Sequence, residues 1–183
     1  KFDKEFHPFK KDPLKVTFIR AGYILGASGI LIEGQEGSVF FTGDFTMSDR
    51  RTLPGSDFLD RLNDKKLDLV VTEMTNALRE EYNVEQGENA LFDAISQTIG
   101  RGGHVLIPCQ SLGLSQELIL MVKGGQAAGK IPATAVFVDG LTRQICDQYE
   151  QMIQPGLFFG KEDVRAPVIR VSNHETRRYA FAG

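Results

Sequence analysis

Apolar and β-branched residues come in short clusters through the first part of the chain, separated by polar or glycine-bearing stretches. VTFIR (16–20), SGILIEG (28–34) and SVFFTGD (38–44) predict three strands, and EGQEG between the last two predicts a hairpin. DLVVTE (68–73) is a short run whose apolar centre predicts a buried strand. The pattern is that of an antiparallel start leading into a more deeply buried strand.

The period changes from residue 88. In ENALFDAISQTI the positions Leu91, Phe92, Ile95 and Ile99 recur at helical spacing, and GRGG stops that helix before HVLIPC, which predicts a strand. SQELILMVKGG then predicts a helix and TAVFVD a strand. LTRQICDQYEQMI predicts a helix with Leu141, Ile145, Tyr149 and Met152 along one face, and APVIRV a closing strand. Helices and strands in alternation define α/β units with a mainly parallel sheet. The polar segment NALREEYNVEQGE (76–88) separates the two patterns and sets domains at residues 1–77 and 78–183.

Composition changes this picture little. Of 183 residues, 42% are hydrophobic and 25% charged, which fits a folded globular chain rather than a disordered one. The formal net charge of -3 argues against a generally basic nucleic-acid coat but leaves room for a local basic groove. No apolar run approaches the roughly 20 residues needed to span a bilayer, and KFDKEFHPFKKDP has no apolar signal core, so no membrane is implied and a cytoplasmic location is expected. Cys109 and Cys146 form no CxxC pair and read as buried small hydrophobes.

The chemistry concentrates at strand ends. Asp44 closes SVFFTGD and Glu73 closes DLVVTE. Each reads alone as a turn or capping acid, Asp44 by bonding the backbone of FTMSD. Together, two carboxylates at two strand ends suit a hard cation, and a bridging Asp can hold two metals roughly 3.5 to 4 Å apart. The histidines His7, His104 and His174 show no HxH or HxxxH spacing, so none forms a zinc set by sequence; His174 is the one expected nearest a cleft. Ser111 and Ser115 lie between a strand and a helix, where they cap the helix or turn backbone N–H groups toward a phosphate. The absence of GxSxG leaves serine hydrolase chemistry unsupported.

AGYILGASGILIE, FFTGDF, VVTEMTN and GRGGHVLIPCQSLGLSQEL resemble, in order and approximate spacing, the metallo-β-lactamase fold nucleases that carry a β-CASP domain. These include the nuclease subunit of the mRNA cleavage and polyadenylation machinery and its bacterial and archaeal relatives. The resemblance runs from about residue 15 to the end. It implies part of an αββα metallo-β-lactamase sandwich over residues 1–77, then a β-CASP α/β domain over residues 78–183. The implied activity is hydrolysis of RNA phosphodiesters with two zinc ions and an activated water. RNA is the implied partner, in a homo-oligomer or a larger processing complex. Asp44 matches the family's bridging Asp and Glu73 its first β-CASP acid. Gly102, Gly103, Pro108, Gly113, Gln116 and Glu117 match the later motif, and Ser111, Gln116, Glu117 and His174 are the substrate-binding candidates. Basic side chains at Arg50, Arg51, Arg177 and Arg178 are candidates for the RNA backbone.

The chain departs from the family pattern at three places. Tyr23 stands where the family has a zinc-ligating His, and a phenol must shed a proton to ligate where imidazole need not. Leu114 replaces an Arg, and MTN follows the acid where TYG is usual. The family's HxHxDH segment would lie upstream of residue 1 and its later histidines beyond residue 183. Two readings stay open: a piece of a metal-dependent nuclease, weakened at Tyr23, or a non-catalytic relative that binds RNA or protein.

Overall fold

The computed structural model describes residues 2–10, 13–78 and 83–152 and the strand at 169–170. The chain divides into two compact units, Lys1–Arg79 and Glu80–Gly183.

The first unit is a five-stranded sheet in the order β1 (Glu5–Phe6), β2 (Lys15–Arg20), β3 (Ser28–Gly34), β4 (Gly37–Phe41) and β5 (Leu69–Val71). Neighbours from β1 to β4 run antiparallel, and β4 and β5 run parallel. Pairing of Gly34 with Gly37 closes the expected hairpin over the two residues between them. The Gly37 backbone sits at φ +148°, and a Cβ there would stand 2.9 Å from the Asp68 carboxylate, so glycine is needed at that corner.

Period-2 alternation puts Ile19, Leu31 and Phe40 on one face, where they pack with Ala21 and with Phe58 of the short helix α1 (Phe58–Leu62). Gly29 makes this possible, because a Cβ there would meet the Phe40 and Phe58 rings below 3 Å. Those rings pack edge to face at 4.9 Å between centroids, a pairing worth about 1 kcal/mol beyond the area it buries.

β5 corrects the expectation of a buried strand: Leu69, Val70 and Val71 are 53%, 50% and 43% exposed. The strand is three residues long and, among the described residues, pairs on one side only, so the apolar run lies at an edge of the described sheet. α1 was not anticipated, since FLDRL is too short to show a helical period.

In the second unit α2 spans Val84–Gly100 and begins four residues before the expected start. Asn83 explains this, because its side-chain oxygen accepts the Gln86 amide N–H at 2.9 Å and caps the extra turn. Gly102, at φ +76°, and Gly103 donate to the Ile99 and Thr98 carbonyls and end the helix at GRGG. α3 (Leu114–Ala127) packs on α2 through Phe92, Ile95 and Val122, with Ile131 completing the cluster. A Cβ at Gly125 would meet the Phe92 ring at 2.8 Å, so this glycine permits the close approach of the two helices.

HVLIPC is not a strand: Leu106 is 76% exposed, and no described strand pairs with residues 104–109. Of TAVFVD, only β6 (Phe137–Val138) forms, pairing parallel with β7 (Ile169–Arg170) inside the expected APVIRV. Between them lies the expected helix α4, Leu141–Met152. Cys146 is buried as read from sequence, whereas Cys109 is exposed because the segment that carries it lacks strand partners. Among the described residues, no helix is long and apolar enough to cross a membrane.

Candidate functional site

Parallel pairing of β4 and β5 brings their carboxyl ends side by side, the edge where α/β sheets commonly place ligands. The pairing runs past the strands proper, as the Thr42 N–H donates to the Val71 carbonyl at 3.0 Å. Buried Thr42 then stitches the two ends together. Its hydroxyl donates to the Gly43 carbonyl at 2.8 Å, accepts the Glu73 N–H at 3.4 Å and meets the Thr72 hydroxyl at 3.4 Å. At the opposite end of the pair, Asp68 accepts the Ser38 amide at 2.8 Å and the Ser38 hydroxyl at 3.1 Å. These bonds, the amide foremost, hold its carboxyl below the ordinary 3.8.

The two strand-end acids behave differently. Glu73 folds back on its own turn and accepts the Thr75 N–H at 2.7 Å, which is the bland capping role open to it from sequence. That amide, and next the Thr75 hydroxyl, hold its carboxyl below the ordinary 4.5. Asp44 follows Gly43, whose left-handed φ of +58° turns the chain outward, and its side chain is exposed. No hydrogen bond or ion pair from the described residues engages the Asp44 carboxylate, so the turn bond to FTMSD is not made.

Tyr23 lies in the loop between β2 and β3, which is sewn to the loop after β4. The Thr46 N–H donates to Ala21 O and the Ser56 N–H to Thr46 O, at 3.0 and 2.7 Å. Gly22 presses directly against the Gly55 and Ser56 backbone. Arg20 braces the same corner, donating through Nε to Gly55 O at 3.1 Å and pairing with Asp57 at 3.3 Å. Half-buried Tyr23 is covered by a cation: the Arg50 guanidinium carbon stands 5.5 Å from its ring centroid. Sequence reasoning marked Tyr23 and Arg50 separately and missed their contact, as it missed Thr42 and the Arg20–Asp57 brace.

The donors among the described residues do not make up a ligand set for two zinc ions. Among the described residues, no group of three His, Cys, Asp or Glu side chains is placed to hold a metal. The Tyr23 phenol, at the position where the resemblance expects a ligand, lies beneath the Arg50 guanidinium, whose charge repels a second cation.

In the second unit Gln116 is fully buried. Its Oε1 accepts the Gly113 N–H at 2.8 Å, and its Nε2 donates to Ser111 O at 3.2 Å and to Cys146 Sγ at 3.5 Å. Ser115 donates to Ser111 O at 2.6 Å, and Glu117 is buried. These side chains build the start of α3 and leave little of Gln116 or Glu117 to face a ligand. His104 is exposed, and His7 bonds Leu14 O at 3.1 Å beside Glu5. His174, Arg177 and Arg178 lie outside the described residues.

No protein-family model matches the chain. Known proteins do resemble it over most of its length. It is 34% identical over 109 residues to Endoribonuclease YSH1 of Gibberella zeae, covering 60% of this chain and 13% of that protein. Identity is 30% over 142 residues to Integrator complex subunit 11 of Danio rerio, covering 78% and 23%. It is likewise 30% over 130 residues to an RNase J-like protein of Methanocaldococcus jannaschii, covering 69% and 30%. The chain thus spans less than a third of the length of these relatives. Over the aligned stretch it is a homologue of the metallo-β-lactamase/β-CASP RNA nucleases.

Proposed function

We propose that the chain is a segment of an RNA-processing protein of the metallo-β-lactamase/β-CASP type. Residues 1–77 form its metallo-β-lactamase-like part and residues 78–183 its β-CASP-like part. In this reading RNA docks at the strand-end site around Asp44, and these 183 residues bind RNA without cleaving it efficiently. The supporting observation is the similarity itself: 60% and 69% of the chain align with relatives named Endoribonuclease YSH1 and RNase J-like protein, and the TGDF motif opens the loop that carries Arg50. Tyr23 beneath Arg50 favours the binding role over hydrolysis, because it removes a ligand position from the same corner. A cytoplasmic location and assembly as a homo-oligomer or in a larger processing complex belong to this reading.

The test is a labelled single-stranded RNA incubated with the 183-residue chain in EDTA and, separately, with added zinc. The expected result is RNA binding under both conditions, weakening as salt rises, with no turnover. Zinc-dependent cleavage over many turnovers would refute the binding-only assignment, and absence of any RNA affinity would refute the RNA reading itself.

A further inference from the structure

Four described arginines belong to the first unit, and Arg50 differs from the other three. Arg20 is paired with Asp57 and the Gly55 carbonyl, Arg61 with Asp3 and Asp57, and Arg51 is likewise engaged. Among the described residues, the Arg50 side chain makes neither a salt bridge nor a hydrogen bond; the Tyr23 ring is its one recorded contact. The loop that carries it is fixed: the Arg50 N–H donates to Leu53 O at 2.9 Å, and Asp49 accepts the Gly55 N–H at 2.8 Å.

A guanidinium held over an aromatic face by cation–π attraction spends none of its N–H donors there, and its N–H fork matches two oxygens of a phosphate. Ordering a long side chain before the ligand arrives also removes part of the entropy cost of binding. We propose that the Tyr23–Arg50 cation–π pair is a metal-independent contact for an RNA backbone phosphate, with Arg50 supplying the positive charge and Tyr23 positioning it. This rests on the RNA reading above and assigns the charge to a residue of this chain. Asp44, on the same loop, opposes the phosphate by its charge, so neutralising it strengthens this mode where it would abolish a metal-bridged one.

Fluorescence anisotropy with a labelled single-stranded oligoribonucleotide in EDTA tests the assignment, each variant first checked for an unchanged circular dichroism spectrum. Arg50→Gln is expected to weaken binding about tenfold and to lower the log–log salt slope by about 0.7, the share of one phosphate contact on a single strand. Arg50→Lys recovers only part of the loss, since an ammonium keeps the charge but lacks the bidentate N–H fork. Tyr23→Leu, which removes the ring face that positions Arg50, is expected to weaken binding about threefold. Arg101→Ala, an exposed arginine in the other unit, changes affinity by less than about twofold. RNA affinity unchanged in Arg50→Gln, or lost equally in Arg101→Ala, overturns the inference while sparing the RNA reading. An unmodified chain with no RNA affinity overturns both.

Discussion

Gly22→Ala is expected to destabilise the first unit by about 3 kcal/mol or more. Gly22 is buried at φ +72°, and its Cβ would lie 2.5 Å from the backbone of Gly55 and Ser56, atoms that no side-chain rotation moves aside. Left-handed strain and the clash add, and relief requires the two loops to part, carrying Tyr23 away from Arg50. Amide hydrogen exchange by mass spectrometry reads this locally. Exchange in β2 to β4 should accelerate roughly a hundredfold, while α2 and α3 in the other unit keep their protection. Unchanged protection in β2 to β4 would show that the corner tolerates the methyl and that its geometry is misdescribed.

Arg20→Ala is the second large effect. The Asp57 side chain is 12% exposed, and one of its oxygens is buried without a hydrogen bond, so the carboxylate depends on Arg20 at 3.3 Å and Arg61 at 3.7 Å. Removing Arg20 leaves the longer pair alone and frees the Gly55 carbonyl, a loss of about 2 kcal/mol after allowing for the part-exposed guanidinium. The double variant Arg20→Met with Asp57→Leu should cost less than Arg20→Met alone, because no stranded carboxylate remains. Urea midpoints of the two proteins decide it; equal or greater loss in the double variant would mean that the ion pair does not brace this corner.

Sequence carried the strand positions well where packing and pairing agree. SGILIEG is β3 to the residue, since alternation and hairpin glycines select the same register. It misled where an apolar run is not covered: LVV became an exposed edge and HVLIPC paired with nothing described, because hydrophobicity announces burial without saying what buries it. The start of α2 was hidden in a cap, as Asn83 extends the helix through residues whose apolar period is weak. At the candidate site, TGDF and AGYILGA single out Asp44 and Tyr23, which fall just past the exposed end of β4 and on the loop between β2 and β3. The contact of Arg50 with Tyr23 was not legible, because it joins two loops that meet only after β2, β3 and β4 pair and Gly22 docks on Gly55.

In the function proposed above, the 183 residues bind RNA through a corner that carries the Asp44 carboxylate and the Arg50 guanidinium over Tyr23, and they hold no zinc by themselves. Elemental analysis of the purified, desalted 183-residue chain tests it most directly. The predicted content is well under one zinc per chain; one or two zinc ions per chain, lost in Asp44→Asn, would contradict it.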